Sequence, residues 1–131
     1  MGTHREVVNA DSAPAPVGPY SHAAKAGGLL FCSGQVALDR SSGELVGETA
    51  AEQAQQCLVN LQAVCEAAGA WLHDAVRVTV WLVDMGDFVA VNEVYGEFFD
   101  AAEPPARVAI AVSALPKGAQ VEIDAIVALP D

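Results

Sequence analysis

The decapeptide EPPARVAIAV, Glu103–Val112, sets one arginine at the head of a run that otherwise reads as a β-strand. The chain has only six lysines and arginines against seventeen aspartates and glutamates, so a cation on an apolar strand calls for a reason. A guanidinium is a planar fork of donors that matches a carboxylate with two hydrogen bonds. By strand alternation Arg107 shares a face with Ala109, Ala111 and Ser113, while Val108, Ile110 and Val112 take the other face and read as core. Small residues beside the arginine leave room for a small anionic guest. The closing run VEIDAIVA alternates Val121, Ile123, Ala125 and Val127 with Glu122 and Asp124. If the two runs pair as a hairpin, Arg107 and a carboxylate share one side. The cation then keeps the carboxylate ionised, and the carboxylate can take a proton from water. A structural ion pair closing the sheet edge fits the same pattern.

The elements that must position these groups are legible in outline. APAPVGPY reads as an extended loop. SHAAKAGGLLFCSGQVAL reads as two strands turning at Gly27-Gly28, and LDRSSGELV as a turn into a short strand. Thr49 to Gly69 is the clearest helix: Thr49 and Glu52 match a capping box. Ala54, Leu58, Leu61, Cys65 and Ala68 form its apolar stripe, and Gly69 its stop. Val76 to Val83 is a strand with Val76, Val78, Val80 and Leu82 on one face and Arg77, Thr79 and Trp81 on the other. A second helix runs from Asp87 to Asp100, with Phe88, Val91, Val94 or Tyr95, and Phe98 inward; Pro104-Pro105 ends any continuation. The order β-β-(β)-α-β-α-β-β predicts an α+β fold, one two-layer domain over 1–131 with helices against one face of a sheet. Residues 1–15 are expected to be a loose N-terminal segment. The face bearing Trp81 is too apolar to stay wet, and association of subunits would cover it. Trp71 and Trp81 read as packing groups, as do Tyr95, Phe98 and Phe99.

Bulk properties narrow the function. The formal charge is −11 and the sequence pI about 4.4, which disfavours phosphate backbones and anionic membranes as partners. Cys32, Cys57 and Cys65 form no metal-binding spacing with the scattered His4, His22 and His73, so no metal site is expected. Cys57 and Cys65 lie roughly 12 Å apart along one helix, too far for a disulfide; reduced, buried cysteines suggest the cytoplasm. The start of the chain shows neither a secretory signal nor a myristoylation pattern, Glu6 breaking the latter, and no run is long enough to span a bilayer.

The blocks GPYSHA, SGQVALD, GELVG, VNLQAVCEAAGA, VTVWLVDMGDFVAVNEVYGEFF, PPARVAI and ALPKGAQVEIDAIV, in uninterrupted order from about Ala15 to Ala128, resemble the RidA family, also called YjgF/YER057c/UK114. The resemblance implies a chorismate-mutase-like subunit with a six-stranded mixed sheet. It also implies a homotrimer whose sheets form a central barrel, with a cleft at each subunit boundary. The implied activity is hydrolysis of 2-imino acids, such as 2-iminobutyrate, and enamines, such as 2-aminoacrylate, to 2-oxo acids and ammonium, without metal or organic cofactor. By motif, Arg107 matches the family's carboxylate-binding arginine and Glu122 the acidic residue that positions water. Tyr20, Ser33, Gly34 and Asn92 match residues that shape the cleft.

Three departures matter. Val108 and Ala109 stand where many members carry Ser or Thr and then Cys, which makes the pocket wall drier and smaller and leaves substrate preference open. His22 replaces a common glutamine; it fits a surface or strand-edge position, or the mouth of the cleft. Asp124 replaces a frequent glutamate and reads as structural. Cys32, beside Ser33, is a candidate for oxidation. Other readings compatible with the sequence are a non-catalytic ligand-sensing or regulatory trimer, an RNA-cleaving translation inhibitor, and an enzyme for other enamines or amino-dienoates.

Overall fold

The computed structural model describes residues 4–100 and 103–131. Strands β1 (Glu6–Val8), β2 (Ala23–Ala26) and β3 (Leu29–Val36) precede helix α1 (Ala50–Ala67). Then follow β4 (Ala75–Leu82), α2 (Phe88–Phe98), β5 (Ala106–Ala111) and β6 (Val121–Ala128). They build one six-stranded sheet in the order β1-β2-β3-β6-β4-β5. Only the β4–β5 pair is parallel, and α2 is the crossover that parallel strands require. The fold is the two-layer α+β arrangement expected, with α1 packed across β3 and β6 and α2 beside α1.

Local chemistry explains the elements that were foreseen. Gly27 and Gly28 both take positive φ, +59° and +78°, the pairing a type I′ hairpin demands. At the start of α1 the Glu52 N–H donates to Thr49 Oγ1 (3.1 Å) while the Thr49 hydroxyl and the Glu48 N–H donate back to the Glu52 carboxylate. The helix ends in a Schellman motif: Ala70 N–H donates to Cys65 O and Gly69 N–H to Glu66 O. Ala54, Leu58, Leu61, Cys65 and Ala68 are all buried. They meet the inward residues of β6, Val121, Ile123, Ala125 and Val127, which are at most 2% exposed.

Other expectations are corrected. The bracketed short strand after LDRSSGELV is only an isolated bridge, Leu38 to Leu45. The sixth strand is β1 instead, drawn from the segment expected to be loose and paired with β2, Glu6 opposite Lys25 and Val8 opposite Ala23; residues 1–3 lie outside the described residues. Val76 leaves the core face because a register shift between Ala75 and Arg77 turns it outward, 50% exposed. Trp71 is not a packing group: it is 62% exposed.

His22 lies neither at the surface nor at a strand edge. It is 2% exposed. Ala10 N–H donates to its Nδ1 at 2.9 Å, which leaves Nε2 as the protonated nitrogen that donates to Pro14 O at 2.7 Å. The ring thus clamps the segment leading from β1 onto the sheet. His22→Ala strands a buried N–H and a buried carbonyl, a loss of about 2–4 kcal/mol. It should lower the urea midpoint and expose the β1 amides to hydrogen exchange first; unchanged β1 protection would contradict the clamp.

Candidate functional site

The topology decides where the charged groups point. β5 and β6 do not form a hairpin; β4 lies between them. Arg107 is opposite Val78, and Val78 is opposite Ala125. Directly paired residues share a face, so Arg107 is on the side of the buried Val78 and Ala125, the helix side. Glu122 is opposite Trp81, which is opposite Ile110, on the open side. The assignment of Val108 and Ile110 to the core is therefore inverted. They lie on the open face, 38% and 44% exposed, and of the two departing residues on β5 only Ala109 shares the face of Arg107. By register the two charged residues stand roughly 10 Å apart across the strands and 10 Å along them, on opposite faces of the sheet.

Each belongs to its own cleft. The first, about 530 Å³, gathers Tyr20, Ser33, Gly34 and Glu122 with Val17 and Pro116 on its walls. Ser33 sits where the β3–β6 register breaks between Cys32 and Gln35, and its hydroxyl donates to Ser21 O at 2.7 Å. Tyr20 lies over the loop and its hydroxyl accepts the Val17 N–H at 3.3 Å. Gly34 is required by the carboxylate: a Cβ there would stand 2.9 Å from Glu122 Cδ. Glu122 is not held ionised by Arg107. Burial, and after it the nearby Asp124 charge, push its carboxyl above the ordinary 4.5.

The second cleft, about 540 Å³, contains Asn92, Tyr95, Pro104, Pro105 and Arg107. The exposed guanidinium donates from Nη1 to Asn92 Oδ1 at 2.6 Å and lies over two ring faces, 4.8 Å from the Tyr95 centroid and 5.4 Å from that of Phe88. An amide and two π faces orient it without neutralising it. The ion pair with β6 is absent: Asp124 accepts from the Trp81 indole and Glu122 lies against Gly34. The Tyr95 hydroxyl is buried and has no hydrogen-bond partner among the described residues; burial raises its pKa, offset in part by Arg107. The contribution of Tyr95 and Phe88 was missed in sequence, where both read simply as helix core.

The cysteines take no part in either cleft. All three are buried and free, so Cys32 is shielded from the solvent that oxidation needs. The Cys57 thiol points to Val121 O at 3.8 Å and burial raises its pKa. That of Cys65 is raised first by its contact with Cys32.

Fold and clefts together define a two-layer α+β domain with a cationic groove on one side of its sheet and an acidic cleft on the other. The chain belongs to the RidA (YjgF) family: the family profile described as Endoribonuclease L-PSP matches residues 10–129. It is 49% identical over 122 residues to a RutC family protein of Pyrococcus horikoshii, covering 93% of this chain and 96% of that protein. A mouse protein named 2-iminobutanoate/2-iminopropanoate deaminase is 47% identical over 122 residues, covering 93% and 90%. Among solved structures, E. coli TdcF with bound serine superposes with a TM-score of 0.90 at 35% identity, covering 95% of this chain and 99% of the other.

The raised Glu122 pKa has a stability consequence. A carboxyl whose folded pKa exceeds its unfolded value contributes stability that is full below the unfolded pKa and is lost as pH rises through the folded one. Glu122→Gln removes that loss. Its Tm relative to the parent should therefore rise between pH 4 and pH 8; a constant difference across that range would show that the burial is not felt.

Proposed function

We propose that the protein hydrolyses reactive 2-imino acids and their enamine tautomers to 2-oxo acids and ammonium, in clefts completed by two copies of the chain within a homotrimer. One observation carries this reading: Arg107 is oriented by uncharged groups and left with its full charge, so it is set to bind an anion. Serine in TdcF and the name of the mouse relative are in keeping with a small substrate bearing a carboxylate.

Roles follow for each residue. Arg107, steadied by Asn92, takes the substrate carboxylate, with Ala109 leaving space beside it. Tyr20, Ser33 and Gly34 wall the opposite half, and Glu122 holds the water. A protonated imine is electrophilic at C2. Water forms a C–O bond there while the C=N π pair moves to nitrogen, and Glu122 accepts the released proton. The same proton then passes to the amino nitrogen. The C–N bond breaks with its pair on nitrogen, Glu122 takes the remaining hydroxyl proton and hands it to the departing ammonia, and the sum is one 2-oxo acid, one ammonium ion and a regenerated carboxylate. Positioning supplies most of the acceleration.

Subunit contact is the economical way to join the halves, because Arg107 and Glu122 lie on opposite faces of one chain. The open face supports such contact: Val7, Phe31, Val108 and Ile110 are each 38–48% exposed. No helix is long and apolar enough to cross a membrane among the described residues, and buried free thiols suit a reducing cytoplasm. The family description names an endoribonuclease, but a chain of net charge −11 offers little to a phosphate backbone.

Arg107→Ala removes two charge-assisted hydrogen bonds of about 1.5–3 kcal/mol each, so kcat/KM for 2-iminobutyrate generated in situ should fall at least ~100-fold. Retention of parental activity would reject the anchor. Gly34→Ala displaces the Glu122 carboxylate rather than the backbone. It should cut kcat by roughly tenfold or more with a stability loss of only about 1 kcal/mol. Mixing the inactive Arg107→Ala and Glu122→Gln chains, then unfolding and refolding them together, should restore roughly a quarter of the sites by random assembly. No recovery would place both residues in one protomer's site.

A further inference from the structure

Trp81 and Asp124 are not used by the roles above, yet they adjoin the group that carries the proton. Trp81 is the direct cross-strand partner of Glu122. Its indole Nε1–H donates to Asp124 Oδ2 at 2.9 Å. Asp124 lies two residues beyond Glu122 on the same face of β6, which sets the side chains roughly 7 Å apart at their bases. The indole hydrogen bond fixes where the Asp124 carboxylate stands relative to Glu122.

We propose that Asp124, held by the Trp81 indole, is a positioning residue that sets the pH at which Glu122 exchanges its proton. The Asp124 charge, fixed at that distance, opposes ionisation of Glu122. A carboxylate made more basic in this way takes a proton from the attacking water more readily. The inference rests on the deaminase reading for its catalytic meaning, though not for the coupling itself.

Other groups around Glu122 are poor substitutes. Thr79 and Trp81 on β4 carry no titrating charge, Arg77 on the same face stands opposite Ile126, further along than Asp124, and β3 presents Gly34. Tyr20 lies in the same cleft. Cys57, on α1 beneath the sheet, has its thiol at Val121 O and is itself pushed up by the Glu122 charge after its own burial. Lys117, beyond Pro116 at the rim, directs its ammonium to Gly43 O at 3.0 Å. The direction of the Glu122 shift, upward from burial and then from Asp124, agrees with the geometry.

The test is a titration of protein labelled with 13C at the glutamate side-chain carboxyl. The Glu122 resonance is assigned by its loss in Glu122→Gln. Asp124→Asn keeps an acceptor for the indole but removes the charge, so the Glu122 midpoint should move to lower pH. Trp81→Phe releases the Asp124 side chain from the indole, so the Glu122 midpoint should move in the same direction by a smaller amount. The acid limb of kcat/KM should move with the resonance. A folded Asp124→Asn protein whose Glu122 midpoint is unmoved overturns the proposal, even if its activity falls. A moved midpoint in a protein that hydrolyses no imine leaves the coupling standing and removes the deaminase reading.

Discussion

The placement of β4 between β5 and β6 decides where the charged groups of this domain stand. A pleated strand sends paired neighbours to a common face. Arg107 is aligned with Val78, Glu122 with Trp81, and these two β4 residues point to opposite sides. A guanidinium and a carboxylate that would neutralise each other in a hairpin are kept apart, one over α2 and the other beside Gly34. Each retains a reactive character that pairing would quench: an uncompensated positive charge, and a carboxyl made basic by burial. The crossover through α2 that makes β4 and β5 parallel also brings Asn92, Tyr95 and Phe88 under the guanidinium, so one connection determines both location and support.

Local signals were well read in the sequence, and long-range ones less so. The capping box at Thr49, the glycine hairpin and the α1 stripe depend on neighbours within a few residues, and they appear as expected. The β5–β6 pairing was misjudged because sequence adjacency favours hairpins, whereas the edge of β4 offered the better partner. The faces of β5 were inverted separately, because Val108 and Ile110 carry more apolar bulk than Ala109 and Ala111 and so looked like core. β1 was overlooked because three residues carry no periodicity, and its anchor, His22, lies far along the chain. A histidine with both ring nitrogens satisfied by backbone cannot be told in sequence from one on the surface.

The candidate residues were mostly found through motif, and their grouping came from geometry. Tyr20, Ser33, Gly34 and Glu122 converge because the irregular stretch of β3 lies beside β6 under the loop that His22 clamps. Asn92 and Arg107 converge across the crossover. Nothing in the spacing of these six residues announces that they form two groups. Gly34 had the strongest hidden signal: a glycine within a strand marks a close approach, and the approaching atoms are those of Glu122.

A cation steadied by ring faces and an amide has a practical side. Its electrostatic attraction is directed outward, at whatever anion the medium supplies. Sulfate, phosphate, citrate and acetate in ordinary buffers are all chemically suited to occupy the Arg107 groove. The choice of buffer is thus a variable of the molecule's behaviour, and weakly coordinating zwitterionic media give its unoccupied state.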